Sequence, residues 1–256
     1  MLRRLWRALA AGAQERQRSD DDWPAAFARV PVLAHWPVAE RERLRQLAAR
    51  LLADKAIEPV GDLIVPRTDA LALALQAALP VLNLGLAWYR GWHAVVLYPG
   101  EFRSRFTQVD EAGVVHEVED WRGGESWAAG PLILSLSDVQ AGGRGEGYNV
   151  VVHECAHKLD QLDGDANGCP PLHAGMDRDA WVKAFAGAYR DLRRRALRRL
   201  HTVLDPYAAE SPAEFFAVAS ELFFEDPPAL RRGYPAVYEQ LGLFYRQDPA
   251  QFWPAS

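Results

Sequence analysis

Residues 149–159 read Asn-Val-Val-Val-His-Glu-Cys-Ala-His-Lys-Leu, a stretch that predicts a helix carrying a metal site. Asn149 is a favourable N-cap, and the apolar residues supply a helix body, although three consecutive valines also suit a strand and leave the helix start open by a residue or two. His153 and His157 are four residues apart, so on a helix both imidazoles project from one face. Two neutral imidazoles suit zinc, and Glu154 is placed to accept a proton from a water molecule.

The alternative interpretation is an ordinary surface helix, and a third metal ligand is needed to distinguish the two. Asp163 has a convenient spacing, but position 160 is not the glycine that would return the chain to the metal, so the helix is expected to continue. Downstream, Ser211, Pro212 and Glu214 match an N-cap, a first-turn proline and an N3 glutamate, which is a purely structural explanation of Glu214. Spacing alone leaves three carboxylates open as third ligand: Glu210, Glu214 and Glu221.

Two glycine-containing stretches match ligand-binding motifs only in part. Residues 163–168 match the first half of a calcium loop, but the position of its bidentate glutamate holds Ala174, which favours a plain turn. The glycines of residues 141–147 are not followed by Gly-Lys-Ser or Gly-Lys-Thr, so a phosphate loop is excluded and a flexible connector is predicted. The other histidines show no ligand spacing: His35, His93, His116, His173 and His201.

Composition bounds the class of protein. The chain has 256 residues, of which 49% are hydrophobic and 25% charged, with a formal net charge of −5. This balance fits a globular domain and argues against direct nucleic-acid or membrane-surface binding. The two cysteines make no disulfide framework, and no apolar run is long enough for a membrane span. We predict a flexible arm over residues 1–22, a single domain over residues 23–256 and a cytoplasmic location.

The order of the predicted elements indicates an α+β fold. Helical periodicity marks residues 37–56, 69–79, 178–200 and 214–224, and short apolar runs bounded by glycine or proline mark strands at 94–98, 114–118 and 132–136. The last strand is expected to lead into the metal helix and to form an exposed sheet edge for a substrate backbone. An arginine run at residues 190–199 is typical of a solvated helix face, with a docking site for an acidic partner as the alternative.

Several motifs together resemble the Mlc titration factor A family of bacterial cytoplasmic zinc peptidases, whose catalytic core is related to the anthrax lethal factor protease. The resemblance covers the chain from about residue 23 to its end, and its main motifs are His-Glu-Cys-Ala-His-Lys-Leu-Asp at residues 153–160, Asp-Pro-Tyr-Ala-Ala at 205–209 and Pro-Ala-Glu-Phe-Phe-Ala-Val at 212–218. It implies a zincin-like metallopeptidase fold, mainly helical with a small mixed sheet, that holds one zinc ion per chain.

The resemblance also implies roles for individual residues. Tyr207 and Glu214 have the Tyr-x6-Glu spacing of the catalytic tyrosine and the third zinc ligand. The related protease has an acidic residue four positions after that ligand, where this chain has Val218, so the role of Glu221 stays open. The implied activity is aminopeptidase-like hydrolysis of small peptides, together with binding of the glucose-responsive repressor Mlc. Two other classes remain as alternatives: a non-catalytic protein that sequesters a repressor, and a metal-dependent hydrolase of a non-peptide bond.

Overall fold

The structure is a computed structural model, and it describes residues 22–109, 115–122, 124–126 and 130–254. The predicted arm of residues 1–22 lies outside these ranges except for Asp22. Helices predominate in the described residues, in the order α1 (Trp23–Ala28), α2 (Val38–Asp54), α3 (Arg67–Ala78), α4 (Leu136–Ala141), α5 (Val150–Asp160), α6 (Arg178–Leu197), α7 (Pro212–Glu225), α8 (Pro227–Gly233) and α9 (Pro235–Tyr245).

The described strands form a small mixed sheet and a separate antiparallel pair. They are β1 (Ala56–Pro59), β2 (Ala94–Tyr98), β3 (Phe102–Val109), β4 (Val115–Arg122), β5 (Gly124–Ser126) and β6 (Leu132–Ser135). The sheet order is β1-β2-β6-β5, with β1, β2 and β6 parallel and β5 antiparallel to β6, while β3 and β4 pair with each other. The prediction of a mainly helical α+β protein with a small mixed sheet therefore agrees with the structure.

The predicted sheet edge at residues 132–136 is wrong. Strand β6 pairs with β2 on one side and with β5 on the other, and Leu132 and Leu134 are completely buried. An uninterrupted apolar run without polar alternation is typical of a strand covered on both faces, which is the reason for the error. Among the described strands, β5 is the edge on this side, and it packs next to α5.

The link from the sheet to α5 also differs from the prediction. Strand β6 runs directly into α4, so a short helix and a glycine-rich turn separate the last strand from α5. That turn is not a flexible connector, because the buried carboxylate of Glu225 accepts hydrogen bonds from the backbone N–H of Gly143 at 2.8 Å and of Gly145 at 2.7 Å. Buried backbone N–H groups need hydrogen-bond acceptors. In this turn the acceptor is the side chain of Glu225, which is distant in sequence.

The four predicted helices are confirmed as α2, α3, α6 and α7, with small shifts at their ends. Helix α6 stops at Leu197 because Arg199 adopts a left-handed backbone conformation with φ of 53°. Helix α7 is set in place by aromatic packing, in which Phe216 of α7 lies between Trp181 of α6 and Phe244 of α9 at ring-centroid distances of 6.0 and 6.1 Å. Ring pairs of this kind stabilise a fixed helix arrangement beyond their burial.

A hydrophobic core extends from Trp23 to Tyr245 without a break between the sheet and the helices around it. Helix α5 runs through this core, since nearly all of its residues are buried. In the part of the chain that the structure describes, no helix is both long enough and apolar enough to cross a membrane. The assignment of residues 23–256 to a single domain stays a prediction.

Candidate metal centre

Helix α5 begins where the sequence predicts. The Asn149 side chain accepts a hydrogen bond from the backbone N–H of Val152 at 3.0 Å, which caps the first turn. The helix brings His153 and His157 one turn apart, with ring centroids separated by 4.8 Å and the two Nε2 atoms by 3.1 Å. Both imidazoles therefore present a nitrogen to the same point, while Cys155 on the opposite side is buried in the core.

Glu214 reaches this point from the first turn of α7. Ser211 caps that helix by accepting a hydrogen bond from the backbone N–H of Glu214 at 3.1 Å. The predicted N-cap is therefore confirmed. The Glu214 carboxylate, however, faces the histidines, with Oε2 at 3.1 Å from Nε2 of His153 and 3.5 Å from Nε2 of His157. The structure thus brings together one of the three open carboxylates with the two imidazoles.

The donor set fits a zinc-sized divalent cation. Zinc bonds of 2.0–2.1 Å in tetrahedral geometry place neighbouring ligand atoms about 3.3 Å apart, and the three observed separations are 3.1, 3.1 and 3.5 Å. Oε2 of Glu214 is enclosed and has no hydrogen-bond donor of suitable geometry. Three lone-pair-bearing atoms that face each other in an enclosed space need a positive charge between them.

The electrostatics of His153 and Glu214 indicate the same need. Burial by itself lowers the pKa of His153, but the contacts with Glu214 and Glu221 raise it well above its usual range. Burial likewise raises the pKa of Glu214, yet the nearby imidazoles hold it far below its usual range. Protons or a metal ion can supply the charge that these residues favour, and a metal ion can bind all three atoms at once.

Glu221 lies behind His153 rather than beside Glu214. Its Oε1 is 2.8 Å from Nδ1 of His153, and its Oε2 accepts a hydrogen bond from the backbone N–H of Asn149 at 2.5 Å. When Nδ1 donates its proton to Glu221, the lone pair of the neutral ring is on Nε2, the atom that faces Glu214. Glu221 therefore orients one imidazole, and Val218 takes no part because it is buried in the core.

Two further carboxylates have different surroundings. Glu210 is exposed and does not join the group of three ligand atoms. Glu225, which the sequence analysis missed, is completely buried and accepts a hydrogen bond from Nδ2 of Asn149 at 2.7 Å in addition to those from the glycine turn. The signal that could have revealed it is a helix that is otherwise apolar but carries acidic residues at positions 214, 221 and 225, which share one face.

Glu154 adjoins His153 on α5, Tyr207 lies near the His153 ring, and Tyr148 directly precedes the N-cap of the helix. Glu154 is buried on α5, with 4% of its surface exposed. Tyr207 lies in a short 3-10 turn that Asp205 caps, and its ring centroid is 6.3 Å from that of His153. Tyr148, which was not predicted, donates a hydrogen bond to Asp138 at 3.0 Å. Burial and Asp138 raise its pKa, with smaller contributions from the negative charges of Glu221 and Glu154.

Comparisons with known proteins agree with this geometry. A family model described as glucose-regulated metallo-peptidase M90 matches residues 3–246. Relatives named Mlc titration factor A, from Yersinia pestis (strain Pestoides F) and Yersinia pseudotuberculosis serotype O:1b (strain IP 31758), are each 37% identical over 252 residues, which is 97% of this chain and 91% of theirs. The matched family model and the His153, His157 and Glu214 cluster point to the class of metallopeptidases. The chain belongs to the glucose-regulated metallo-peptidase M90 family.

Replacing Glu221 should weaken metal binding without abolishing it. In Glu221→Gln the side chain keeps its volume but no longer carries the charge that favours the Nδ1–H tautomer of His153, so we expect about a 10–100-fold loss of zinc affinity. Competition with a chromogenic chelator measures the affinity. The matched control is Glu210→Gln, which should bind zinc as the wild type does. Equal affinities for Glu221→Gln and the wild type would contradict the orienting role.

Gly168 holds the start of α7 through close packing. Its φ is +79°, and a Cβ atom added there would lie 2.4 Å from the carbonyl oxygen of Pro212. Gly168→Ala should therefore lower the free energy of unfolding by about 3 kcal/mol, combining backbone strain with a clash that shifts the segment before Glu214. Urea denaturation measures this.

Gly61→Ala is the matched control for the Gly168 variant. Gly61 has a similar φ of +66° but nothing within 4 Å of an added Cβ, so only the backbone term of about 1 kcal/mol should remain. If both variants lost the same stability, the contact between Gly168 and Pro212 would not be a determinant of the position of α7.

Proposed function

We propose that this chain is a zinc-dependent peptidase with aminopeptidase-like specificity. The observation that carries the proposal is the convergence of two imidazole nitrogens and one carboxylate oxygen within 3.5 Å of each other, with Glu154 on the same helix. His153, His157 and Glu214 are the proposed ligands of one zinc ion per chain. Membership of a metallopeptidase family supports the reaction class.

In the proposed mechanism, each residue near the ligands has a separate task. A bound zinc ion would lower the pKa of water toward neutrality and polarise a carbonyl group. Glu154 accepts a proton from the water molecule that attacks the peptide carbonyl and then transfers that proton to the leaving amine. Tyr207 donates a hydrogen bond to the carbonyl oxygen as negative charge develops on it. Glu221 keeps His153 in the tautomer that leaves Nε2 free to bind the metal.

The second part of the proposal is regulatory. The relatives at 37% identity carry the name Mlc titration factor A, and on that basis we propose that this chain binds an Mlc-like transcriptional repressor in the cytoplasm. A non-catalytic protein that only sequesters the repressor, with an incidental zinc ion, is the alternative supported by the same name. The two differ in whether Glu154 and Tyr207 are needed for the biological effect.

The proposed function is tested by metal content and turnover in one series of proteins. Purified wild type, after reconstitution with zinc and removal of the excess, should contain about one zinc ion per chain and hydrolyse aminoacyl chromogenic amides. Glu214→Gln should lose both properties, because it replaces a charged ligand by a poor neutral one. The matched control is Glu210→Gln, which should keep both. A folded wild type that binds no zinc would contradict the peptidase proposal and leave the sequestering protein.

A further inference from the structure

We propose that the end of α6 and the turn after it bind an acidic, amphipathic segment of a partner protein. This surface, called the terminal surface below, is built on residues 190–203 and contains six arginines: Arg190, Arg193, Arg194, Arg195, Arg198 and Arg199. All six are exposed. The proposal does not depend on metal binding or on peptide hydrolysis, since none of these residues belongs to the proposed metal centre.

The positive charge of the terminal surface is not neutralised locally. Residues 190–200 contain six arginines and one acidic residue, Asp191, so their summed charge is +5, whereas the net charge of the whole chain is −5. Asp191 accepts hydrogen bonds from Arg194 and Arg195. Within the described residues, Arg190 and Arg198 form no ion pair. Like charges at positions i and i+4 destabilise a helix. The arginines of α6 therefore repel each other, and alternating acidic and basic residues on the same face would remove that repulsion.

Three apolar side chains accompany the arginines. Leu197 is 83% exposed, Leu200 52% and Val203 36%. Single exposed apolar residues are common, but here three lie within seven positions of the chain beside the arginines, and exposed apolar groups of this kind can contact another molecule. Leu200 occupies the position after a helix end at which an apolar side chain usually packs back on the last turn. Its exposure leaves that contact available to a partner.

Arg199 adds a conformational argument. It has a left-handed backbone with φ of 53°, while its N–H donates to the carbonyl of Ala196 and the N–H of Leu200 donates to that of Arg195, both at 3.0 Å. This hydrogen-bond pattern ends many helices, and the left-handed position usually holds glycine because a Cβ atom is strained there. An arginine at this position retains strain and adds a guanidinium group to the surface.

An acidic protein segment fits the terminal surface better than an extended polyanion does. Because the surface carries +5 and the whole chain −5, the rest of the chain carries −10. A nucleic acid or an anionic membrane would meet that negative remainder as well as the arginines, whereas a short segment can contact the arginines alone. A phosphate backbone also offers nothing to the exposed leucines, while an amphipathic helix offers an apolar stripe.

The first test uses a fluorescein-labelled amphipathic helical peptide that has glutamates on one face and leucines on the other. Its binding is measured by fluorescence anisotropy. The wild type should bind it with an affinity that falls as salt is added. The double variant Arg190→Glu, Arg198→Glu should raise the Kd about 10–100-fold, because attraction becomes repulsion at two positions. The control is a single charge reversal away from this surface, Arg50→Glu on the exposed face of α2, which should change the Kd less than about twofold.

Two further variants separate charge, strain and apolar contact. Arg199→Gly should raise the Tm by about 1–3 °C as strain is relieved, yet weaken peptide binding. Leu197→Ser with Leu200→Ser should weaken binding about tenfold at an unchanged net charge. Zinc content and turnover should match the wild type in all of these variants.

Four results would overturn the proposal. The first is that the wild type does not bind the peptide measurably, and the second is that the double reversal and Arg50→Glu have equal effects. The third is that the two leucine substitutions have no effect. The fourth is that a DNA duplex or anionic phospholipid vesicles bind as tightly as the peptide, or more tightly, under the same conditions. The last result would assign the terminal surface to polyanions in general.

Discussion

Replacing Glu154 by glutamine is expected to stop peptide hydrolysis and to leave the metal bound. Glu154 follows His153 directly on α5 and is buried, with 4% of its surface exposed. Glutamine has the same shape but cannot accept a proton from water at neutral pH, so kcat should fall about 10²–10⁴-fold, the usual contribution of a general base. The three proposed ligands are unchanged, and zinc content should therefore stay at the wild-type value.

The matched control for this variant is Glu146→Gln. Glu146 is exposed in the turn before α5, and its replacement changes the net charge by the same amount without touching the helix. It should keep wild-type kcat and zinc content. Full peptidase activity in Glu154→Gln would show that the proposed base is wrong, and loss of zinc in the same variant would show that the effect is structural.

The same pair of variants separates the two regulatory readings. If repressor binding depends on a surface away from the metal, Glu154→Gln should bind the repressor as tightly as the wild type while having no turnover. If regulation needs proteolysis, the variant should fail in a cellular reporter assay although it still binds. The name of the relatives supports only the repressor link, so this experiment decides which class the chain represents.

Replacing His157 by alanine is expected to remove zinc, turnover and the stabilisation that zinc provides. The Nε2 atom of His157 is 3.1 Å from that of His153, and the two belong to the same proposed ligand set. A metal that binds only the folded state at a thousand times its Kd adds about 4 kcal/mol to the free energy of unfolding. A chelator should therefore lower the Tm of the wild type by roughly 10 °C and leave the Tm of His157→Ala unchanged.

The matched control is His201→Ala, an exposed histidine outside the ligand set. It should show the full wild-type response to the chelator in differential scanning calorimetry. A chelator response that persisted in His157→Ala would place the stabilising metal elsewhere. No chelator response in zinc-loaded wild type would mean that α5 and α7 hold their arrangement without it.

Helix α7 explains why the second half of the site was harder to predict than the first. The spacing of His153 and His157 is a local property, since four residues make one helical turn. Spacing alone left Glu210, Glu214 and Glu221 open, and only the resemblance to a known family selected Glu214. The distance of a carboxylate from the imidazoles depends on how α7 packs against α5, and helical periodicity contains no information about that packing. The capping residue Ser211 was correctly predicted, but the same pattern gave Glu214 a sufficient structural explanation.

The prediction for the glycine turn before α5 was wrong for the same physical reason. Glycines in residues 141–147 suggested a flexible connector, whereas Glu225 fixes the turn from a position 80 residues away in sequence. The sheet edge was also misplaced, because β6 has the apolar run of an inner strand and the pairing partner β5 could not be inferred from that run.

By itself, the sequence determined the helix of residues 150–160, its cap, its two imidazoles and its neighbouring carboxylate, because helical period and capping chemistry act over a few residues. The family resemblance pointed to Glu214, but only the tertiary structure shows that its carboxylate faces the imidazoles, that Glu221 orients one of them and that Glu225 fixes the turn. These three contacts join segments that are distant along the chain, and only the packing of the core brings such segments within hydrogen-bonding distance.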